Sequence, residues 1–332
     1  MNTTVKRVSA PAAVALSAGV AAGVFGHRAF SRLVQRDVQT LLAHASPAKG
    51  RPDVVTEEML ADLPEPARRY LHCAGVVGRP LVRTVHLRQK GMMRPGPGQP
   101  WMALDAEEWY SVHPPGFVWD GTLHMGPIPV GRARDMYLDG KGHMLVKVAS
   151  LFTVVDATGE EMDQGSMMRY LSEMIWFPTA FLGDNVSFEA VDDSSVRVTL
   201  TDHGRTATAT LCVDEEGRLT EFVAKRYRFV RERRDLEIWS TPITGYGAFE
   251  GLRLPVRGKA AWKLPEGDFE YIELTITELR YDVGSAVRVS ASASVPSGRG
   301  RSWYRQPRSM ERQPRSPGPW GKSSPNGASR SP

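Results

Sequence analysis

At 332 residues, 41% of them hydrophobic, the chain has the length for one large domain or two small ones and ample apolar material for a core. Its net charge of +5 is unevenly spread: residues 1–36 carry five Lys or Arg and no acid, residues 285–332 carry nine against one, and the 37–284 body holds 28 basic against 36 acidic side chains. A body near −8 repels phosphate backbones, which argues against nucleic acid as a partner of the folded domain.

Residues 8–26 carry no charge, follow Lys6 and Arg7, and approach the ~20 residues of a bilayer span. Small residues at Val20-Ala21-Ala22 would suit a signal peptidase. Basic residues follow directly, however, at His27-Arg28, Arg32 and Arg36, with no polar cleavage region. The segment is therefore read as an uncleaved single-pass anchor, continuing as a helix through Leu42, and a membrane is the expected partner. Its basic flanks balance, so the positive-inside rule leaves the orientation open, with the extracytoplasmic side expected for the domain. Gly19 and Gly23 fit either a close helix–helix approach or a chance match in an Ala/Gly-rich run.

A Pro/Gly/Lys link over 46–51 comes next. Thr56 is placed to cap a short helix with Glu57 and Glu58 in its first turn, and Pro66 opens a second, 65–73, that stops near Gly75. Beyond Gly78 the apolar period changes to two. Strands are predicted over 82–92, 102–112, 116–124, 132–138, 143–148 and 152–155, punctuated by Pro/Gly turns. One helix interrupts them, with Asp163 as N-cap, and Met167, Met168, Leu171, Met174 and Ile175 on one face. It ends at Trp176-Phe177-Pro178. Strands resume over 186–190, 196–201, 206–213, 219–229, 235–243, 254–263 and 271–281. In the last, Ile272, Leu274 and Ile276 alternate with Glu273, Thr275 and Thr277, which predicts one buried and one wet face. The fold class is α+β, mainly antiparallel β. The parts are a membrane segment with its following helix (1–45), a linker with a short helix (46–62), one β-rich domain (63–283) and a tail (284–332). From Ser285 on, 32 of 48 residues are Ser, Pro, Gly or Arg, a composition that cannot bury enough apolar surface to fold. It reads as a disordered basic tail or as the out-of-frame translation of a GC-rich gene.

The phrase Leu63-Pro64-Glu65-Pro66-Ala67-Arg68-Arg69-Tyr70-Leu71, and Gly165-Ser166-Met167-Met168-Arg169-Tyr170-Leu171-Ser172-Glu173 followed by Trp176-Phe177-Pro178, resemble a bacterial family of unknown function. Its members carry an N-terminal membrane segment, and the resemblance covers about 63–281. The order of elements is also similar to lipoprotein carriers of the LolA/LolB type. That likeness implies a curved half-barrel sheet with helices packed on its concave face, plugging an apolar cavity. The tail after Gly284 departs from the pattern.

The richest candidate site is the interrupting helix. Met167, Met168, Leu171 and Met174 with Trp176 and Phe177 either pack on the sheet as core or line a cavity for a flexible apolar ligand. Arg169 and Glu173 lie four apart, so they form an intrahelical ion pair, or Arg169 binds an anionic head group with Tyr170 or Gln164 beside it. No histidines show metal spacing, no serine lies in a nucleophile elbow, and no Gly-rich turn leads into a helix, so no catalytic residue and no cofactor is assigned. The two cysteines, Cys73 and Cys212, show no metal-ligand spacing; one disulfide or two small apolar side chains remain open. The reading that follows is a membrane-anchored, non-catalytic binding module for an apolar or amphipathic, lipid-like ligand. A hydrolase-type enzyme with a site assembled in three dimensions, and an interaction protein without a pocket, stay open as alternatives.

Overall fold

Two antiparallel meanders make up the domain. The first runs β1 (Thr84–Met93), β2 (Met102–Ser111), β3 (Gly116–Met125), β4 (Ile128–Leu138), β5 (Lys141–Val148) and β6 (Phe152–Ala157). The second runs β7 (Val186–Asp192), β8 (Ser195–Asp202), β9 (Arg205–Val213), β10 (Leu219–Val230), β11 (Arg233–Phe249), β12 (Leu252–Leu264) and β13 (Gly267–Tyr281). Because β1 and β13 pair from Val85 opposite Tyr281 to Met93 opposite Ile272, the meanders fuse into one 13-stranded sheet with β6 and β7 at its edges. Each strand expected from the alternation is present. The computed structural model describes residues 10–46, 53–230 and 233–284, and of these the side chains of 22–46, 53–228 and 235–284. The tail and the Pro/Gly/Lys link lie outside the described residues, and so do most side chains of the expected membrane segment. Among the described residues no helix is long and apolar enough to cross a membrane.

The connection between the two edges holds α4 (Glu160–Glu173) and two 3-10 turns, Met174–Trp176 and Pro178–Leu182, where Pro178 bars further helix. The sheet is curved and unclosed, and these elements fill its concave side together with α2 (Glu58–Ala61) and α3 (Glu65–Ala74). α4 touches β4 and β5 on one side and β9 and β10 on the other, so it spans the trough. The β4–β5 turn meets the β8–β9 turn, where the Tyr137 hydroxyl donates to Asp202 Oδ2 at 2.7 Å and Arg205 Nη1 to the Gly140 carbonyl at 3.2 Å.

A second core lies on the opposite face of the sheet. In α1 (Ala10–His44), Phe30, Val34, Val38 and Leu41 share one helix face and are buried against Trp109, Val118 and Leu145, which point outward from β2, β3 and β5. Each such burial contributes roughly 1.5–3 kcal/mol. Polar fasteners accompany the packing. Arg132 forks onto Asp120 at 2.9 and 2.6 Å and donates to Ser31 Oγ at 2.7 Å, while Arg134 donates to Asp37 at 2.6 Å. The sequence predicts this stretch only as a helical continuation of the membrane segment; the structure adds its packing on the sheet.

Two local expectations are corrected. Asp163 does not cap α4: the helix starts at Glu160 behind Gly159 at φ +113°, and Glu160 and Glu161 supply the acidic first turn. The Asp163 carboxylate is instead buried, accepting from the Gly142 amide at 2.9 Å and Lys141 Nζ at 3.0 Å. Thr56 likewise is not the cap of α2, whose N-cap position is Glu57 with no side-chain cap. Cys73 and Cys212 are free and half-buried, which selects the reading without a disulfide.

If α1 is part of the domain, Leu41→Ala lowers the stability of the whole chain by about 2–4 kcal/mol in urea denaturation. An unchanged unfolding midpoint would mean that the helix is only laid on the surface.

Candidate functional site

Strand register places Glu108, Trp119 and Asp135 in one row across β2, β3 and β4, Glu108 opposite Trp119 and Trp119 opposite Asp135. Partners in an antiparallel ladder point to the same side. This row points into the concavity, beside the apolar row Tyr110, Phe117 and Tyr137. Glu108 and Asp135 are 0% and 1% exposed, and carboxylates so placed need a cation.

α4 supplies it from its last turn. Arg169 donates from Nη2 to Glu108 Oε1 at 2.9 Å, from Nη1 to Asp135 Oδ2 at 2.9 Å and from Nε to Glu173 Oε1 at 2.8 Å. Phe117 and Trp119 lie under the guanidinium at 4.9 and 5.1 Å. Outside this ring of contacts, Gln89 Nε2 donates to Glu108 Oε2 at 2.9 Å, Trp119 Nε1 to Gln89 Oε1 at 3.1 Å, and the Tyr110 hydroxyl to Glu173 Oε2 at 3.2 Å. Gly121 makes room for the indole, since a Cβ there would come within 2.1 Å of the Trp119 ring.

One guanidinium cannot neutralise three carboxylates. Burial pushes the Glu108 carboxyl well above the ordinary glutamate range, Arg169 opposes this, and the neighbouring Glu173 and Asp135 add to it. Burial raises Glu173 as well, again against the pull of Arg169. Burial by itself would lower the Arg169 pKa, but Glu108, Glu173 and Asp135 outweigh it and hold the guanidinium charged. The cluster therefore keeps a proton at a pH where an exposed glutamate has lost its own. Asp135 Oδ1 is buried without a hydrogen-bond partner, and Asp135 faces a cavity.

That cavity, of about 190 Å³, lies between the end of α4 with its 3-10 turn and strands β1 and β10–β13. Trp176, Trp239, Met93, Ile272 and Leu274 supply apolar walls, and the Trp176 indole is held by donation to the Pro255 carbonyl at 3.0 Å. Ile272 and Leu274 are only half-buried because part of each faces this space. One further cation lines it: Arg226 of β10, half-buried and stacked 4.7 Å over Trp239. Arg257 and Lys259 of β12 border it through their backbone only, since they stand opposite Thr275 and Glu273 on the outer face, where Lys259 is paired with Glu270 and Glu273 at 2.9 and 3.1 Å.

Of the residues singled out in the sequence, Arg169 and Trp176 line the cavity. Met167, Met168, Leu171, Met174 and Phe177 are buried in the main core, the Tyr170 hydroxyl donates to the Ser111 carbonyl at 3.0 Å, and Gln164 is half-exposed away from the cavity. The Arg169–Glu173 pair expected from spacing is formed. Gln89, Glu108 and Asp135 were missed, although each interrupts an inward apolar alternation: Val85, Leu87, Gln89; Leu104, Ala106, Glu108, Tyr110; Ala133, Asp135, Tyr137. A larger groove, of about 320 Å³, adjoins the β8–β9 turn and collects His113, Asp202 and His203. Among the described residues no group of His, Cys, Asp or Glu could hold a metal ion.

A family model described as "Family of unknown function (DUF6544)" matches residues 53–274. The chain belongs to this family. The DUF6544 match takes in both phrases on which the sequence resemblance rests, and every member of the Arg169 cluster, but not α1. Two solved structures are similar to the chain: a DUF1329 family protein from Desulfovibrio piger, 11% identical with a TM-score of 0.40 over 66% of this chain and 92% of that one, and a LolA superfamily protein from Nitrosomonas europaea, 9% identical with a TM-score of 0.39 over 71% and 99%. No curated protein matches.

The raised Glu108 sets a sign for pH dependence. A carboxyl whose folded pKa exceeds its unfolded value of about 4.5 contributes stability that is complete below that value and is lost as pH rises through the folded one. Urea midpoints are expected to fall across that window in the wild type and to fall less in Glu108→Gln; parallel curves would contradict it. Arg169→Met, which strands three buried carboxyls, costs about 3–5 kcal/mol at neutral pH and less in acid.

Proposed function

We propose that the domain is a non-catalytic binding module that holds an apolar or amphipathic, lipid-like ligand in the cavity beside α4, tethered to a membrane by the N-terminal segment. The observation that carries this reading is the cavity itself, with Trp176, Trp239, Ile272 and Leu274 turned toward open space inside an otherwise packed half-barrel. At about 190 Å³ it is smaller than the ~300–1,000 Å³ of most ligand sites, and it borders the half-buried Arg226, so a bound chain lies partly in the cavity and partly at its mouth.

The charge arrangement supports a direction for an amphipathic ligand. Arg169 has each edge of its guanidinium engaged by a carboxylate, which removes it as the receptor for an anionic head group. Arg226, on the cavity side of β10, takes over that role, and the apolar part faces Trp176 and Ile272. The tether is supported by the uncharged run over residues 8–26.

Solvent extraction of the purified whole chain followed by mass spectrometry tests the reading. A stoichiometric amphiphile is expected from the wild type and is lost from Ile272→Trp, which fills the cavity, while thermal unfolding stays cooperative. A ligand-free wild type, or equal amounts in the filled variant, contradicts it.

A further inference from the structure

Most of the large apolar side chains that the described residues leave exposed gather in one neighbourhood. Met125 and Ile128, 58% and 62% exposed, face each other across the β3–β4 turn. Phe152, 68% exposed, follows Leu151 in the β5–β6 turn, with Val154 exposed beyond it. The two hairpins are joined where the Ala149 amide donates to the Val130 carbonyl at 3.2 Å. α1 passes the same place: Gly26 lies so close that a Cβ on it would come within 2.4 Å of the Ser150 carbonyl and 2.9 Å of the Leu151 side chain. Phe25, the residue before it, is 71% exposed. Two hairpin tips and one helix thus present a shared apolar rim, far more than scattered surface apolars require.

The rim is held firmly. One turn beyond Gly26, Phe30 is buried with its ring 4.8 Å from the Arg132 guanidinium, and Arg132 is tied to both Ser31 and Asp120. The helix therefore cannot swing away from the hairpins without breaking a buried ionic contact.

We infer that this rim is seated in a lipid bilayer, so that the domain lies against the membrane in one fixed orientation rather than hanging free. Three observations select lipid as the occupant. α1 runs back from the rim to Ala10, and residues 8–26 are uncharged, so the chain enters and leaves the apolar region at this point. Arg28 and Arg32, both exposed, stand on the next turns of α1, where they reach anionic head groups. The 37–284 body carries a net charge near −8, so attraction to an anionic surface comes from these α1 arginines and not from the body as a whole. Apolar side chains on separate loop tips also suit insertion into a fluid interface better than a flat protein contact. The inference rests on the membrane tether proposed above.

The test uses the whole chain reconstituted into phosphatidylcholine/phosphatidylglycerol vesicles. In a Cys73→Ser, Cys212→Ser background, an environment-sensitive dye is placed through Phe152→Cys or, as reference, Glu250→Cys in the β11–β12 turn. The inference expects quenching by lipid-attached spin labels severalfold stronger at position 152 than at 250, with the reverse order for aqueous iodide. On the unlabelled wild type, amide exchange at 125–128 and 149–153 should slow when vesicles are present. Vesicle flotation with a water-exposed label at 152 and unchanged exchange overturns the inference and leaves the tether standing. Failure to float overturns the tether and the inference together. Crosslinking between the position-152 cysteines of two copies shows the rim buried against a second chain and also overturns it.

Discussion

Arg169 sits where α4 ends and faces two strands of the first meander, and its guanidinium is shared by Glu108 of β2, Asp135 of β4 and Glu173 of its own helix. Moving the helix end by one residue in either direction would leave buried carboxylates unpaired. The register of α4 on the sheet is thus specified electrostatically, although most of its burial is apolar. Buried ion pairs of this kind seldom add net stability relative to a well-packed apolar replacement. Their effect here is placement: the last turn of α4 is held away from β11–β13, the 3-10 turn carries Trp176 across the gap, and the cavity is the space that remains. The shortage of positive charge has a further effect, since a cluster that retains a proton presents a less charged floor to an apolar ligand.

Covering both faces of the first meander explains why its strands differ from those of the second. β3 is buried over most of its length because α4 and the 3-10 segment lie beneath it and α1 lies above it. β7 carries only half-buried and exposed residues, and β8 and β9 show the half-wet alternation of a sheet covered on one side. One consequence is mechanical. A helix that leads directly from the uncharged N-terminal run is clamped on the sheet through Phe30, Val34, Val38 and Leu41, so any force or orientation imposed at the N-terminus is passed to the strands that carry Glu108 and Asp135.

The strands were legible because period-two alternation broken by Pro/Gly turns is a local signal, and the same holds for the methionine-faced helix. Other features depended on partners far away in sequence. Asp163 looked like a helix cap because local rules see only the helix, while Gly142 and Lys141 claim its carboxylate. Glu108 and Asp135 could have been flagged as polar intrusions on an inward face, but their assembly around Arg169 needs the register of three strands and a helix. Ile272, Leu274 and Ile276 alternate identically whether they meet side chains or empty space, so no pattern distinguished the packed part of β13 from the part that lines a cavity. The packing role of residues 30–41 depends on strands far away in sequence, because an amphipathic repeat does not say which sheet face it covers.

The most direct measurement is the carbonyl infrared spectrum of the cluster. At about pH 6, above the ordinary glutamate value of 4.5, the wild type should show the C=O stretch of a protonated carboxylic acid shifted by a dry, hydrogen-bonded site, and Glu108→Gln should lose it. A spectrum with carboxylate bands alone at that pH would mean that all three acids are ionised around Arg169, which contradicts the account of how this interior is held.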